Sequence, residues 1–131
     1  MGEEIRRSPH VLLVDDEEVF RDTLVKVLAA RGLVARTAAS GQEAIAALDS
    51  QAPDVVVLDL KMPGMGGLEV LQRIAAQRPH LPVIILTGHG TVEAGLEAVR
   101  DLAFDFLLKP VPVDRLVGVI LAAAETGIGR P

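Results

Sequence analysis

The sequence predicts an α/β fold in which helices cover both faces of a doubly wound parallel β-sheet. Short apolar segments alternate with segments of helical periodicity in the order βαβαβαβαβα. Several apolar segments are continuous runs, which is typical of strands buried on both faces. The chain has 131 residues, half of them hydrophobic, which is enough for one domain with a sizeable core.

Five segments have the character of strands. The first, third and fourth are nearly uninterrupted runs of Val, Leu and Ile, whereas the second alternates. In chain order they are HVLLVDD (10–16), LVARTA (33–38), DVVVLD (54–59), LPVIILT (81–87) and FDFLL (104–108).

Five further segments repeat apolar residues at helical spacing. Gly32 is predicted to end the first helix, and Ser40 to cap the second. The segments are EEVFRDTLVKVLAARG (17–32), GQEAIAALDS (41–50), LEVLQRIAAQR (68–78), TVEAGLEAVRDL (91–102) and VDRLVGVILAAAE (113–125). We expect residues 1–9 to form a tail, 10–126 the folded domain, and 127–131 a tail or the start of a linker.

Composition narrows the functional classes. The net charge of -5 argues against a nucleic-acid-binding surface on this domain. The chain has no cysteine, so a disulfide framework and a thiolate site are excluded, which fits a cytoplasmic location. No stretch approaches the roughly 20 apolar residues that span a bilayer, and the first residues lack the apolar core of a secretory signal.

Polar residues gather where the predicted strands end. Asp15 and Asp16 follow the first strand, Asp59 the third, Thr87 ends the fourth and Lys109 follows the fifth. Ligands of doubly wound sheets bind outside these strand ends. If the first and third strands are neighbours, three carboxylates converge and repel each other unless a cation neutralises them. An all-oxygen ligand set favours Mg²⁺, with Ca²⁺ or Mn²⁺ as substitutes.

Each of these residues also has an ordinary structural explanation. Asp15 or Asp16 could cap the first helix, and Asp59 could stabilise a turn. Thr87 could be a strand-end hydroxyl and Lys109 a solvated surface lysine. Their joint occurrence at four strand ends favours a functional site.

Four motifs resemble those of the receiver domains of two-component response regulators. They are VDDEE (14–18), LDLKMPGMGGLEVL (58–71), ILTGHG (85–90) and DFLLKPV (105–111). The resemblance extends from about residue 10 to about residue 125. It implies a flavodoxin-like fold with five helices and a five-stranded sheet of order 2-1-3-4-5.

The resemblance also implies roles for the acidic residues. Asp59 matches the aspartate that accepts a phosphoryl group from a sensor histidine kinase. Asp16 matches a direct Mg²⁺ ligand, and Asp15 an acid that acts on the metal mainly through water. The backbone carbonyl of Lys61 matches a further metal ligand, beside the carboxylate of Asp59.

Further positions match the switching machinery of the family. Lys109 matches the lysine that pairs with the acceptor aspartate or its phosphate, and its bond to Pro110 matches one that is commonly cis. Thr87 matches the hydroxyl that binds phosphoryl oxygens and moves toward them. Phe106 occupies the aromatic switch position, where Tyr is frequent. Leu102 stands where many members have Gly, so the turn after the fourth helix lacks a residue that readily adopts positive φ.

These matches imply a signalling receiver that catalyses its own phosphorylation and dephosphorylation. Its partners would be a sensor histidine kinase and an output domain or effector, of which a transcriptional output is one kind. The fourth helix, fifth strand and fifth helix would form the output face. A homodimer is possible, and neither nucleic acid nor membrane would be contacted directly by this domain.

Three other classes remain open at this stage. A flavodoxin-like redox carrier would usually stack its flavin on Trp or Tyr, and the chain has neither. A hydrolase with an Asp nucleophile would typically place its two acids two residues apart after the first strand. A degenerate receiver, acting only as an interaction module, would not need the intact set of acids, Thr87 and Lys109.

Overall fold

A computed structural model of the chain describes residues 8–62, 66–88 and 100–127. Its five strands form one sheet of order β2-β1-β3-β4-β5, with every neighbouring pair parallel. The predicted fold and strand order are therefore confirmed. The strands are β1 His10–Val14, β2 Val34–Ala38, β3 Val55–Leu58, β4 Val83–Thr87 and β5 Asp105–Leu108.

Helices connect the strands as the periodicity predicted. Residues 100–102 are helical and are the described part of a fourth helix, α4; the remainder of that predicted segment, 91–99, lies outside the described residues. Within the described part of the chain, no helix is long and apolar enough to cross a bilayer. The other helices are α1 Glu18–Ala30, α2 Gly41–Ser50, α3 Gly67–Gln77 and α5 Val113–Gly127.

The two faces of the sheet carry separate apolar cores. Side chains alternate along each strand, so Val11 and Leu13 point to one face, and Leu12 and Val14 to the other. The first core packs against α1 and α5, and the second against α2 and α3. Burial on both faces explains why β1, β3 and β4 are continuous apolar runs.

The local signals for helix ends work as the sequence indicates. Gly32 has φ 84° just after α1, and the N–H groups of Gly32 and Leu33 donate to the carbonyls of Ala29 and Leu28, each at 3.0 Å. These two bonds form a Schellman motif. At α2, the hydroxyl of Ser40 accepts from the backbone N–H of Glu43 at 3.1 Å. Both helices are thereby bounded by side-chain or backbone hydrogen bonds.

Candidate functional site

Three carboxylates converge at the carboxyl edge of the sheet. Strands β1 and β3 are neighbours, and the last residues of both, Val14 and Leu58, are paired in register. The residues that follow are therefore brought side by side, and one carboxylate oxygen from each of Asp15, Asp16 and Asp59 lies within 4.8 Å of the others. Asp15 is 1% and Asp59 6% exposed, whereas Asp16 is open to solvent. This all-oxygen cluster could hold a divalent cation.

The two carboxylate oxygens of Asp59 have different partners. Oδ1 accepts hydrogen bonds from the backbone N–H of Lys61 at 3.0 Å and from the hydroxyl of Thr87 at 2.6 Å. Oδ2 is 3.5 Å from Nζ of Lys109. The bond to Lys61 is a turn-type contact, so the turn-forming explanation of Asp59 is partly correct. The buried contact with Thr87 and the approach of Lys109 go beyond what a turn requires.

Lys109 is surrounded by acidic side chains. Its Nζ donates to Oδ2 of Asp15 at 2.7 Å and lies 3.5 Å from Asp59 and 3.6 Å from Oε1 of Glu17. The ammonium also stands over the ring of Phe20, 4.1 Å from its centroid. The lysine side chain is 19% exposed and so does not extend freely into solvent. The nearest partner of Lys109 in this structure is thus Asp15, and Asp59 is a second, longer ion-pair contact.

Burial and charge act in opposite directions on the pair of Lys109 and Asp15. Burial raises the pKa of Asp15 above its ordinary value, and the hydrogen bonds from Lys109 and from the N–H of Glu17 offset this only in part. Burial would lower the pKa of Lys109, but the hydrogen bond to Asp15 and the charges of Asp15, Asp59 and Glu17 outweigh it and raise that pKa. Burial thus dominates the pKa of Asp15, whereas the charged partners dominate that of Lys109, because Asp15 is the more deeply buried of the two.

Two hydrogen bonds, one to its side chain and one to its backbone carbonyl, hold Asp15 in place. Its Oδ1 accepts from the N–H of Glu17 at 2.9 Å, and its carbonyl accepts from Nη1 of Arg21 at 2.8 Å. The N-cap of α1 is Glu17, whose side chain makes no capping hydrogen bond. Neither Asp15 nor Asp16 therefore occupies the capping position that was their alternative explanation.

A close backbone approach positions the loop after β3. Gly67, the first residue of α3, donates its N–H to the carbonyl of Leu60 at 3.1 Å. A Cβ at Gly67 would lie 2.3 Å from Cα of Leu60 and 2.4 Å from the carbonyl oxygen of Asp59. Because backbone atoms cannot yield as a flexible side chain can, only glycine fits this contact.

Of the remaining predicted site residues, Lys61 lies at this edge and Phe106 lies within β5. Lys61 is exposed and borders an open cleft of about 520 Å³ that also exposes Asp16, Asp59 and Lys109. Phe106 is half-buried and packs against the core on the α2 and α3 side.

Two features of the predicted switch region concern backbone geometry. The peptide bond between Lys109 and Pro110 is cis, as the resemblance implied. Leu102 ends α4, and no described residue other than glycine has positive φ, so this turn does not use the conformation that glycine would favour.

Sequence reasoning missed Glu17 and Phe20 as site residues. Glu17 directly follows the two acids and lines the cleft, so its position was a usable signal. Phe20 lies in the predicted first helix at helical spacing with Leu24 and Val27, a pattern that indicates a core-facing residue. Its approach to Lys109 carried no local signal, because the two residues belong to opposite ends of the chain.

The chain is similar in sequence and in fold to known proteins of one family. The family model described as "Response regulator receiver domain" matches residues 11–121. The chain therefore belongs to the response regulator receiver domain family. It is thus neither a flavodoxin-like redox carrier nor a hydrolase with an Asp nucleophile.

The chain is similar in sequence to part of several transcriptional regulators. It is 43% identical over 110 residues to the DNA-binding transcriptional regulator NtrC of Salmonella typhimurium, covering 84% of this chain and 24% of that protein. It is 39% identical over 118 residues to the C4-dicarboxylate transport transcriptional regulatory protein DctD of Rhizobium meliloti, covering 90% and 26%. The chain thus spans about a quarter of the length of these curated relatives.

Solved structures show the same fold. The receiver domain of NtrX from Brucella abortus superposes with a TM-score of 0.82 at 41% identity, covering 88% of this chain and 98% of that one. A response regulator receiver domain protein from Clostridium thermocellum superposes with a TM-score of 0.84 at 34% identity, covering 89% and 94%.

Proposed function

We propose that Asp59 accepts a phosphoryl group from a sensor histidine kinase and that its phosphorylation controls an output domain or effector. The observation that carries this proposal is a nearly buried carboxylate, Asp59, that faces the hydroxyl of Thr87 at 2.6 Å and the ammonium of Lys109 at 3.5 Å, with two further acids beside it. Similarity to NtrC and DctD, which are named as transcriptional regulators, supports a transcriptional output.

Oδ2 of Asp59 is the nucleophilic oxygen in this proposal. Among the described residues, Oδ1 accepts two hydrogen bonds, from Lys61 and Thr87, whereas Oδ2 makes the longer contact with Lys109. Oδ2 attacks the phosphorus atom, and the bond from phosphorus to the phosphohistidine nitrogen breaks, with the electron pair leaving on nitrogen. The ammonium of Lys109 and the hydroxyl of Thr87 then donate to the phosphoryl oxygens.

The carboxylates of Asp15, Asp16 and Asp59, with the carbonyl of Lys61, are the proposed ligands of Mg²⁺. Their oxygen donors and mutual separation fit a hard divalent cation. When bound, the ion supplies positive charge that offsets the charge of the phosphoryl oxygens. The same residues support the expectation that the domain catalyses its own phosphorylation and dephosphorylation.

Thr87 and Phe106 are the proposed switch residues. Thr87 already donates to the unmodified Asp59, so its hydroxyl needs only a small displacement to reach a phosphoryl oxygen. Phe106 is half-buried on the adjacent strand, where its ring can follow that displacement. The proposed output face consists of α4, β5 and α5; the possible homodimer and the cytoplasmic location stay predictions.

Acetyl phosphate labelling tests the acceptor. Wild-type protein with Mg²⁺ should gain an acid-labile, hydroxylamine-sensitive phosphate, as an acyl phosphate does. Asp59→Asn, which keeps the side-chain shape and removes the nucleophile, should gain none, and EDTA should suppress labelling of the wild type.

Asp49→Asn is the matched control, because Asp49 is exposed and lies on α2, outside the acidic cluster. It should be labelled like the wild type. Full labelling of Asp59→Asn would refute Asp59 as the acceptor, and undiminished labelling in EDTA would refute the metal requirement.

A further inference from the structure

We propose that Phe20 is a positioning residue for Lys109, whose ammonium it holds at the acidic cluster through the face of its ring. The inference rests on the proposed function, in which Lys109 serves phosphoryl transfer. It adds a residue of α1 that the motifs of the family resemblance do not contain.

The geometry is that of a cation–π contact. Nζ of Lys109 lies 4.1 Å from the ring centroid, well inside the roughly 6 Å within which such attraction is significant. The lysine side chain is 19% exposed and the ring is partly buried against the core of α1 and α5. Removal from water strengthens the attraction between a cation and the ring quadrupole.

The ring differs in kind from the other partners of the ammonium. Asp15, Asp59 and Glu17 are charged, and the first two are also proposed to bind Mg²⁺ or to be modified. Their attraction for Lys109 therefore changes during the reaction. Phe20 has no charge to lose, so it attracts the ammonium equally before and after Asp59 is phosphorylated.

A pocket that Phe20 borders permits a matched pair of substitutions at this residue. Phe20 and Lys109 both border an apolar pocket of about 470 Å³ between α1 and the start of α5, also lined by Val27, Pro110 and Leu116. This pocket leaves room for the larger ring of Phe20→Trp. Phe20→Leu retains an apolar side chain but removes the π face.

The rate of phosphorylation by acetyl phosphate with Mg²⁺ separates these variants. Phe20→Leu should react about threefold to tenfold more slowly than wild type, and Phe20→Trp within about twofold of it. Equal rates for Phe20→Leu and wild type, or an equal loss in both variants, would overturn the proposal. Thermal unfolding of each variant checks that a slower reaction does not come from unfolded protein.

A metal-free NMR measurement tests the contact without any reaction. The ring current of Phe20 should shift the Hε protons of Lys109 upfield of those of Lys26 and Lys61, and Phe20→Leu should abolish the shift. Hε protons of Lys109 that resonate with the other two would overturn the inference.

The two readouts also separate this inference from the proposed function. If wild-type protein shows the ring-current shift but is not phosphorylated, the proposed function fails and the role of Phe20 in transfer fails with it. If wild-type protein is phosphorylated and Phe20→Leu reacts at the same rate, only the inference about Phe20 fails.

Discussion

Lys109 is held in the site by the sum of several moderate interactions. One direct hydrogen bond to Asp15 is joined by two longer contacts, with Asp59 and Glu17, and by the ring of Phe20. Burial lowers the pKa of Lys109 more than any single interaction with an acidic partner raises it, but the hydrogen bond to Asp15 and the charges of the three acids together raise that pKa. The positive charge of Lys109, which the proposed phosphoryl transfer uses, is thus retained despite burial.

This raised pKa predicts a loss of stability in alkali. Unfolded lysine loses its proton near pH 10.4, and folded Lys109 loses it at higher pH. The contribution of Lys109 to the unfolding free energy is therefore fully present below about pH 10.4 and is lost as pH rises through the folded pKa. Denaturant unfolding from about pH 9 to about pH 12 should show this loss in wild type.

The composition makes that measurement selective. The chain has no Tyr and no Cys, and its lysines are Lys26, Lys61 and Lys109. Lys109→Met should remove the alkaline loss, while Lys61→Met, at an exposed position, should retain it. The same alkaline loss in wild type and in Lys109→Met would contradict the assignment to Lys109.

At the scale of elements, helix α1 contributes residues that contact the site. Its N-cap residue Glu17 and its first-turn residues Phe20 and Arg21 contact Lys109 or Asp15. Its end is set by Gly32, whose positive φ closes the Schellman motif. A shift of this helix along its axis would therefore move site residues as well as core residues.

Two glycines in helical surroundings should respond oppositely to alanine. Gly32→Ala should lower the unfolding free energy by about 1–2 kcal/mol, because φ 84° is strained for a residue with Cβ. Gly118→Ala, inside α5, should raise it by about 0.5–1 kcal/mol, because alanine is the better helix former. Chemical denaturation measures both.

Packing does not confound this comparison. Among the described residues, a Cβ at either glycine would have no neighbour within 4 Å outside its own chain neighbours and helix backbone, so backbone conformation separates the two variants. A change of the same sign in both would contradict this explanation of Gly32.

At the scale of the molecule, the carboxylates of the acidic edge repel each other, and a bound cation would relieve this repulsion. Ligand that binds only the folded state at tenfold its dissociation constant stabilises by about 1.4 kcal/mol. Adding Mg²⁺ should then raise the unfolding midpoint by roughly 3–5 °C for a domain of this size. Differential scanning calorimetry with and without the ion measures this shift.

Asp16→Asn and Asp49→Asn are the paired variants for this experiment. Asp16 belongs to the cluster and is exposed, so its substitution should reduce the shift without disturbing the core. Asp49→Asn should keep the full shift. An undiminished shift in Asp16→Asn would place the bound ion elsewhere.

The strands, the sheet class and the candidate residues could be predicted from the sequence. Continuous apolar runs indicated strands buried on both faces, and polar residues directly after those runs, such as Asp15 and Asp59, had to lie at one edge once the strands were parallel. These features depend on local pattern and on strand direction, so they can be recognised without coordinates.

The contacts among these residues could not be predicted in this way and required the folded structure. It paired Lys109 with Asp15, 94 positions away, more closely than with Asp59, and set the ring of Phe20 beneath the same ammonium. It also showed that the turn at Leu102 needs no positive φ. Such contacts depend on distances of a few ångströms between separate elements, which the packing of helices on the sheet determines and no local pattern encodes.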